Sequence, residues 1–405
     1  MGKLFSYKQV PILLSYLYLI LLISAPLSNL SGDWKAKISI FLAIIFFELA
    51  INGFSNLGTA LKQRSYEFIF LFSWLFILSL YRFFNIGDMV TWSGYFRPYI
   101  YFLSSILIGS LYFNNIEIYR NFIKLSTLVI CATSILIIKD LYYNPNIVRF
   151  MNAGINILQN DPLNVIGAIN YFSGIVLFSP FMISLLSYYR KHRTILWTLV
   201  FAYLPFIASL ALSTMLTPII LVLFAAIFML FIYGKKESTP SGILFAVLLL
   251  TSLIAIFVLQ IEQATFITRK ISEFYHNLLS GDVQYLSRIN DAIKSIESFI
   301  DSPILGIGLQ PRATYAVLGE HSTLLDALAE FGVLGFAPFL LFLYLTWNRI
   351  FSYYCIDKTN IWNRSRVTVF SLYLISILIN PWGLDGYSAV FWGALVLGPT
   401  SLQHD

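Results

Sequence analysis

Arg269, Arg288, Arg312, Glu320 and His321 are among the side chains able to handle protons or anions that fall within one polar stretch of an otherwise apolar sequence. A neutral imidazole such as that of His321 takes a proton from an attacking hydroxyl near neutral pH. When protonated it donates to a phosphate instead, and the sequence leaves both roles open. A guanidinium is planar, always charged and able to hold two oxygens at once. Arg288 is therefore suited to a diphosphate, and to stabilising the charge a diphosphate gains as a bond to it breaks. Both residues have plainer readings. A lone histidine at a helix boundary is more often a surface or capping group, and an arginine on an amphipathic helix is more often simply solvated. Their placement, on an outer face with Glu320 beside His321, favours the chemical role.

The chemistry the sequence lacks narrows the choice. It has no Gly-x-x-x-x-Gly-Lys phosphate loop, no His-Glu-x-x-His pair and no Asp-x-Asp in any loop to bind a metal-nucleotide sugar. ATP hydrolysis and cytosolic nucleotide-sugar transfer are unsupported. No metal and no cofactor is expected.

The elements that must position these groups follow from composition. Of 405 residues, 58% are hydrophobic, 17% aromatic and only 11% charged, against about 25% charged in a soluble domain. Too few charges remain to cover a water-exposed surface, which excludes a soluble enzyme, a disordered tail and a disulfide-rich secreted module. The net charge of +6, from 26 Lys+Arg against 20 Asp+Glu, reflects topology rather than a nucleic-acid partner. Cys131 falls in a predicted span and Cys355 in a predicted connecting loop, so no disulfide is expected.

A membrane core of about 30 Å takes roughly 20 apolar residues per helix. Windows of that kind lie at 10–30, 38–56, 67–84, 98–113, 121–139, 164–188, 194–213, 215–233, 242–260, 323–347, 367–381 and 387–400. The fold class expected is an all-α polytopic integral membrane protein of about 12 transmembrane helices. The first window, preceded by Lys3 and Lys8, is too long for a signal-peptide core and reads as an uncleaved span. One set of loops holds Arg64, Arg120, Arg190, Lys235, Arg349, Arg364 and Arg366. By the positive-inside rule both termini are then cytoplasmic, with Lys35 and Lys37 dissenting. The chain reads as one transmembrane domain over 1–405, with a long periplasmic loop at 261–321. Glu48 lies inside a span, where an acid defaults to a functional hypothesis; pairing with Arg82 or a tyrosine is the alternative.

Within the long loop the apolar pattern turns periodic. Tyr285, Leu286, Ile289, Ile293, Ile296 and Ile300 form one stripe of a helix, with Arg288 on its rim near Ser295 and Phe299. Ser302-Pro303 stops that helix, and Gly306 and Gly308 shape a turn. Gly332 and Gly335 are expected to let a neighbouring helix approach closely.

From Ser302 to Leu345 the sequence reads SPILGIGLQPRATYAVLGEHSTLLDALAEFGVLGFAPFLLFLYL. A Pro-Ile-Leu-Gly-Ile-Gly turn, then His-Ser, then a helix with Glu-Phe-Gly-Val-Leu-Gly, resembles the signature of the O-antigen ligase and polymerase superfamily. Arg288, in Ser-Arg-Ile-Asn, stands where that pattern has an upstream arginine. The resemblance covers residues 285–345 closely. It implies an integral-membrane glycosyltransferase using undecaprenyl-diphosphate-linked glycans, without a metal, in the bacterial inner membrane. His321 would be the general base and Arg288 the diphosphate ligand. The pattern departs at Ser213-Thr214-Met215-Leu216, where many relatives carry Ser-Arg. Arg97, Arg149, Arg269 and Arg312 are the external arginines left to supply that charge.

His321 followed by serine rather than asparagine tilts the resemblance toward a Wzy-class polysaccharide polymerase, for which a chain-length regulator is a possible partner. The alternatives are the ligase of the same superfamily, which passes the finished glycan to lipid A-core, and a transporter or flippase for lipid-linked sugars.

Overall fold

A computed structural model describes residues 9–24, 34–84, 89–143, 168–213, 216–233, 287–308, 322–379 and 389–399, together with 247, 250, 268, 269, 272, 275 and 276. The described residues are all-helical. The helices are α1 (Val10–Ile23), α2 (Trp34–Asn52), α3 (Phe54–Gln63), α4 (Ser65–Phe84), α5 (Met89–Tyr112), α6 (Ile116–Tyr143) and α7 (Ala168–Tyr188). They continue as α8 (Arg193–Leu212), α9 (Leu216–Tyr233), α10 (Ser287–Asp301), α11 (Thr323–Ile356), α12 (Ile361–Ile379) and α13 (Ala389–Leu397). Apart from 242–260, most of which lies outside the described residues, each predicted window contains a helix.

Helices prevail because lipid cannot bond to exposed backbone groups, so each segment must satisfy its own. Among the described residues α6, α8 and α11 are long and apolar enough to cross a membrane, and α2 with α3 make a fourth crossing if the pair is one bent span. The protein is thus polytopic in character. Cys355 sits on the exposed last turn of α11 rather than in a loop, because that helix continues past residue 347 to Ile356; Cys131 is buried in α6, and both thiols are free.

The centre of the bundle is α13, a nine-residue π-helical segment in which every residue is buried. It packs chiefly on α5 and also touches α12, α7 and α1. Trp392 stacks on Tyr373 at 3.8 Å between ring centroids and meets Phe102 at 4.7 Å with the rings tilted. Close approach to α5 requires glycine: a Cβ at Gly109 would lie 2.4 Å from the Ala394 carbonyl oxygen. A segment of nine residues falls well short of the roughly 20 that cross a bilayer, so the described part of the 387–400 window is core packing.

Glu48 resolves the question raised by an acid within a span. The chain turns by 116° between α2 and α3 at Gly53 (φ 61°), and Glu48 clamps the bend. Its Oε1 accepts from Asn52 Nδ2 at 2.8 Å and Asn56 Nδ2 at 3.1 Å, and its Oε2 accepts from Tyr112 Oη at 2.7 Å. The partner is the tyrosine of the two alternatives. Glu48→Ala strands three donors, a loss of about 1–3 kcal/mol; thermal unfolding in detergent should show a lowered midpoint, with Glu48→Gln retaining most of the wild-type value.

Candidate functional site

The loop helix α10 begins at Ser287, so Arg288 occupies its first turn. Its apolar stripe faces away from the protein: Ile293, Ile296 and Ile300 are 42%, 44% and 65% exposed. The opposite face, carrying the buried Ser295 and Ser298, packs on α11. Ser295 Oγ donates to Asp326 Oδ1 at 2.6 Å and ties the two helices together.

Four backbone bonds then stitch the turn after α10 into a break in α11. Ile307 and Gly308 donate to the Ala329 and Glu330 carbonyls, each at 2.9 Å. In return Val333 donates to the Pro303 carbonyl at 2.9 Å and Leu334 to that of Ile304 at 3.1 Å. The break is Gly332, with φ 57° and ψ −171° inside an otherwise helical run. Gly306, at φ 72°, lies back to back with it; a Cβ on either would meet the other's backbone nitrogen at 2.5–2.6 Å. Gly332 thus opens α11 to receive the Pro-Ile-Leu-Gly-Ile-Gly turn, rather than easing the approach of a neighbouring helix. At Gly335 an added Cβ would meet Phe331 Cβ of its own helix at 2.6 Å, whereas Ile77 of α4, at 3.4 Å, is in ordinary contact.

These contacts fix the direction of α10. Ser295 meets Asp326, and Pro303 meets Val333, so residue numbers rise together and the two helices run parallel. Both N-termini therefore point to the same end, where their partial positive charges add for an anion. Ser322 caps α11 there, its side chain accepting from the Leu325 amide at 3.2 Å. Position 288 lies seven residues before Ser295, while Ser322 lies four before Asp326. At roughly 1.5 Å per residue α10 reaches a little beyond the start of α11. His321 is the residue immediately before that cap.

Among the other sequence candidates, His321, Glu320, Arg312 and Arg149 lie outside the described residues. Arg97 belongs to α5, far along the sequence from this unit, and Arg269 is an exposed helical residue of the long loop. The sequence reading missed the Ser295–Asp326 tie. A serine spaced seven residues after Arg288 on the polar side of an amphipathic helix was the available signal.

Arginines expected in cytoplasmic loops converge instead into a buried group at the other end of α11. Arg64 and Arg349 both bond Glu67 Oε1, the first at 3.4 Å, and Arg366 binds carbonyls at the end of α13.

No curated protein matches the chain. Residues 201–340, which run from α8 through α10 and the stitched turn into α11, match the family model described as O-antigen ligase, so this part of the chain is similar to the O-antigen ligase and polymerase superfamily.

Proposed function

We propose that the protein is a membrane glycosyltransferase that polymerises undecaprenyl-diphosphate-linked repeat units into O-antigen or a similar surface polysaccharide on the outer face of the inner membrane. The observation that supports this reading is the parallel pairing of α10 and α11 within the matched region, which brings the first turn of α10, where Arg288 falls in the sequence, to the same end as the Ser322 cap of α11.

In the proposed reaction a hydroxyl of the acceptor repeat attacks the anomeric carbon of the donor glycan. The bond from that carbon to the diphosphate oxygen breaks as the new glycosidic bond forms. His321 accepts the hydroxyl proton, and undecaprenyl diphosphate leaves carrying the negative charge. Arg288 holds that charge as it develops, assisted by Arg312 or Arg269 and by the N-terminal dipoles of α10 and α11. Glu320, Arg97 and Arg149 are further candidates for glycan or diphosphate contacts. The chemistry calls on no metal and no nucleotide.

A second reading follows from the description of the matching family: transfer of the finished glycan to lipid A-core, by the same two residues in the same roles. The glycolipid profile of a deletion strain separates the two. Loss of a polymerase should leave single repeat units on the core, whereas loss of a ligase should leave polymer on undecaprenyl diphosphate. Repeat units retained on the cytoplasmic face would point to transport instead and overturn both.

A further inference from the structure

The arginine group at the far end of α11 carries more positive charge than the described residues around it answer. Arg64 stands in the turn between α3 and α4, Glu67 in the first turn of α4, Arg349 on α11 and Arg366 on α12. Arg64 and Arg366 are each 1% exposed and Glu67 is 2% exposed, while the Arg349 side chain is 24% exposed and forms the rim. From Val333 to Arg349 the helix rises about 24 Å at roughly 1.5 Å per residue, most of a hydrocarbon core of about 30 Å. The group therefore lies at the membrane face opposite α10.

Its neutralisation is incomplete. Arg64 Nη2 donates to the Gly398 and Pro399 carbonyls at 2.9 and 2.6 Å. Arg366 donates from Nε to the Val396 carbonyl at 2.9 Å, from Nη2 to the Pro399 carbonyl at 2.8 Å, and from Nη1 to Asn363 Oδ1 at 3.3 Å. These bonds cap the C-terminal end of α13, whose dipole is worth about half a negative charge. Three guanidiniums less the one carboxylate of Glu67 leave two positive charges, and the helix end offsets only part of them. Among the described residues none of the three arginines pairs with another carboxylate.

Among the described residues three buried polar atoms of the group also lack a hydrogen-bond partner: Arg64 Nε, Glu67 Oε2, and Arg349 Nη1, which meets Glu67 only as an ion pair. Burial, then the Arg349 guanidinium, pulls Arg64 down from 12.5 to about 10 against the opposing pull of Glu67, and it stays charged at neutral pH. Buried cations in excess are costly unless an anion joins them.

We propose that Arg349, Arg64 and Arg366 form a binding site for a single phosphate-bearing anion, entered past Arg349 from the membrane face opposite α10. Arg349 and Arg64 Nε hold its oxygens, and Glu67 Oε2 accepts from a hydroxyl of the same ligand. That chemistry belongs to a hydroxylated acidic lipid headgroup such as phosphatidylglycerol, and equally to free hydrogen phosphate. The site is independent of the reaction proposed at α10.

The test uses the full chain, purified and stripped of lipid in a neutral detergent. Phosphatidylglycerol, phosphatidylethanolamine and inorganic phosphate are each titrated while thermal unfolding is followed and bound lipid is read by native mass spectrometry. Phosphatidylglycerol should raise the wild-type midpoint and bind about tenfold more tightly than to Arg349→Gln, the loss expected for one charge-assisted contact. Phosphatidylethanolamine should do neither. Phosphate that stabilises equally and displaces the lipid identifies free phosphate as the ligand. Glu67→Gln, which removes the competing carboxylate, should bind the anion more tightly than wild type, and it serves where Arg349→Gln does not fold. Equal binding by wild type and the variants, or no stabilisation by either anion, overturns the proposal.

Discussion

Arg288→Ala and His321→Ala are each expected to abolish long glycan chains while the protein accumulates in the membrane at wild-type level. Removing a preorganised cation from a leaving diphosphate slows such a step by about 10²–10³. Removing a general base costs about 10²–10⁴. Either loss eliminates a product that needs many successive transfers. Arg288→Lys keeps the charge but loses the two-oxygen fork, so it should make chains that are shorter and fewer. The measurement is the chain-length ladder of surface polysaccharide in a deletion strain complemented by each variant, with protein level checked by immunoblot. Wild-type ladders from both alanine variants would remove these residues from the mechanism.

Gly332→Ala is expected to disable the protein through the scaffold that carries those residues. Its backbone, at φ 57° and ψ −171°, occupies a region open essentially to glycine, and another residue held there is strained by about 1–3 kcal/mol. The added Cβ would lie 2.4 Å from the Ile304 carbonyl oxygen and 2.6 Å from the Gly306 nitrogen. Both are backbone atoms, so no side-chain rotation relieves the clash. The turn must then leave the break in α11, with loss of the four stitching bonds, each worth about 1 kcal/mol. Thermal unfolding should shift down by several degrees and polymer should disappear. Gly306→Ala destroys the same contact from its other side, so the double variant should be little worse than either single one. Gly58→Ala is the control: nothing lies within 4 Å of its added Cβ, and alanine within α3 should be neutral or slightly stabilising. Normal stability and polymer in Gly332→Ala would contradict the stitched arrangement.

The helices were legible in the sequence because each apolar run has to bond its own backbone in lipid, and the end of the loop helix was legible at Ser302-Pro303. What an apolar run does not reveal is where a helix breaks within it. Gly332 lies in Glu-Phe-Gly-Val-Leu-Gly, which reads as a packing motif until the docked turn beside it is seen. The stripe of Ile293, Ile296 and Ile300 was equally plain as a pattern. Periodicity shows that a face is apolar but not what the face meets, and here it turns outward while the serine face meets α11.

Charge behaved in the same way. Arg64, Arg349 and Arg366 were read as separate loop charges, since their convergence on Glu67 and on the end of α13 joins four parts of the chain that sequence order keeps apart. Arg288 and His321 were singled out by residue type and placement. The parallel register that brings the N-terminal ends of α10 and α11 to one side depends on Ser295–Asp326 and on the stitched turn, contacts that no linear spacing encodes.

The decisive measurement is made with purified protein in a bilayer, given undecaprenyl-diphosphate-linked repeat units as both donor and acceptor. Polymer on undecaprenyl diphosphate, with free undecaprenyl diphosphate released, is the predicted result for wild type and not for Arg288→Ala. Repeat units that stay single, or that wild type only moves across the bilayer, would contradict the proposed reaction.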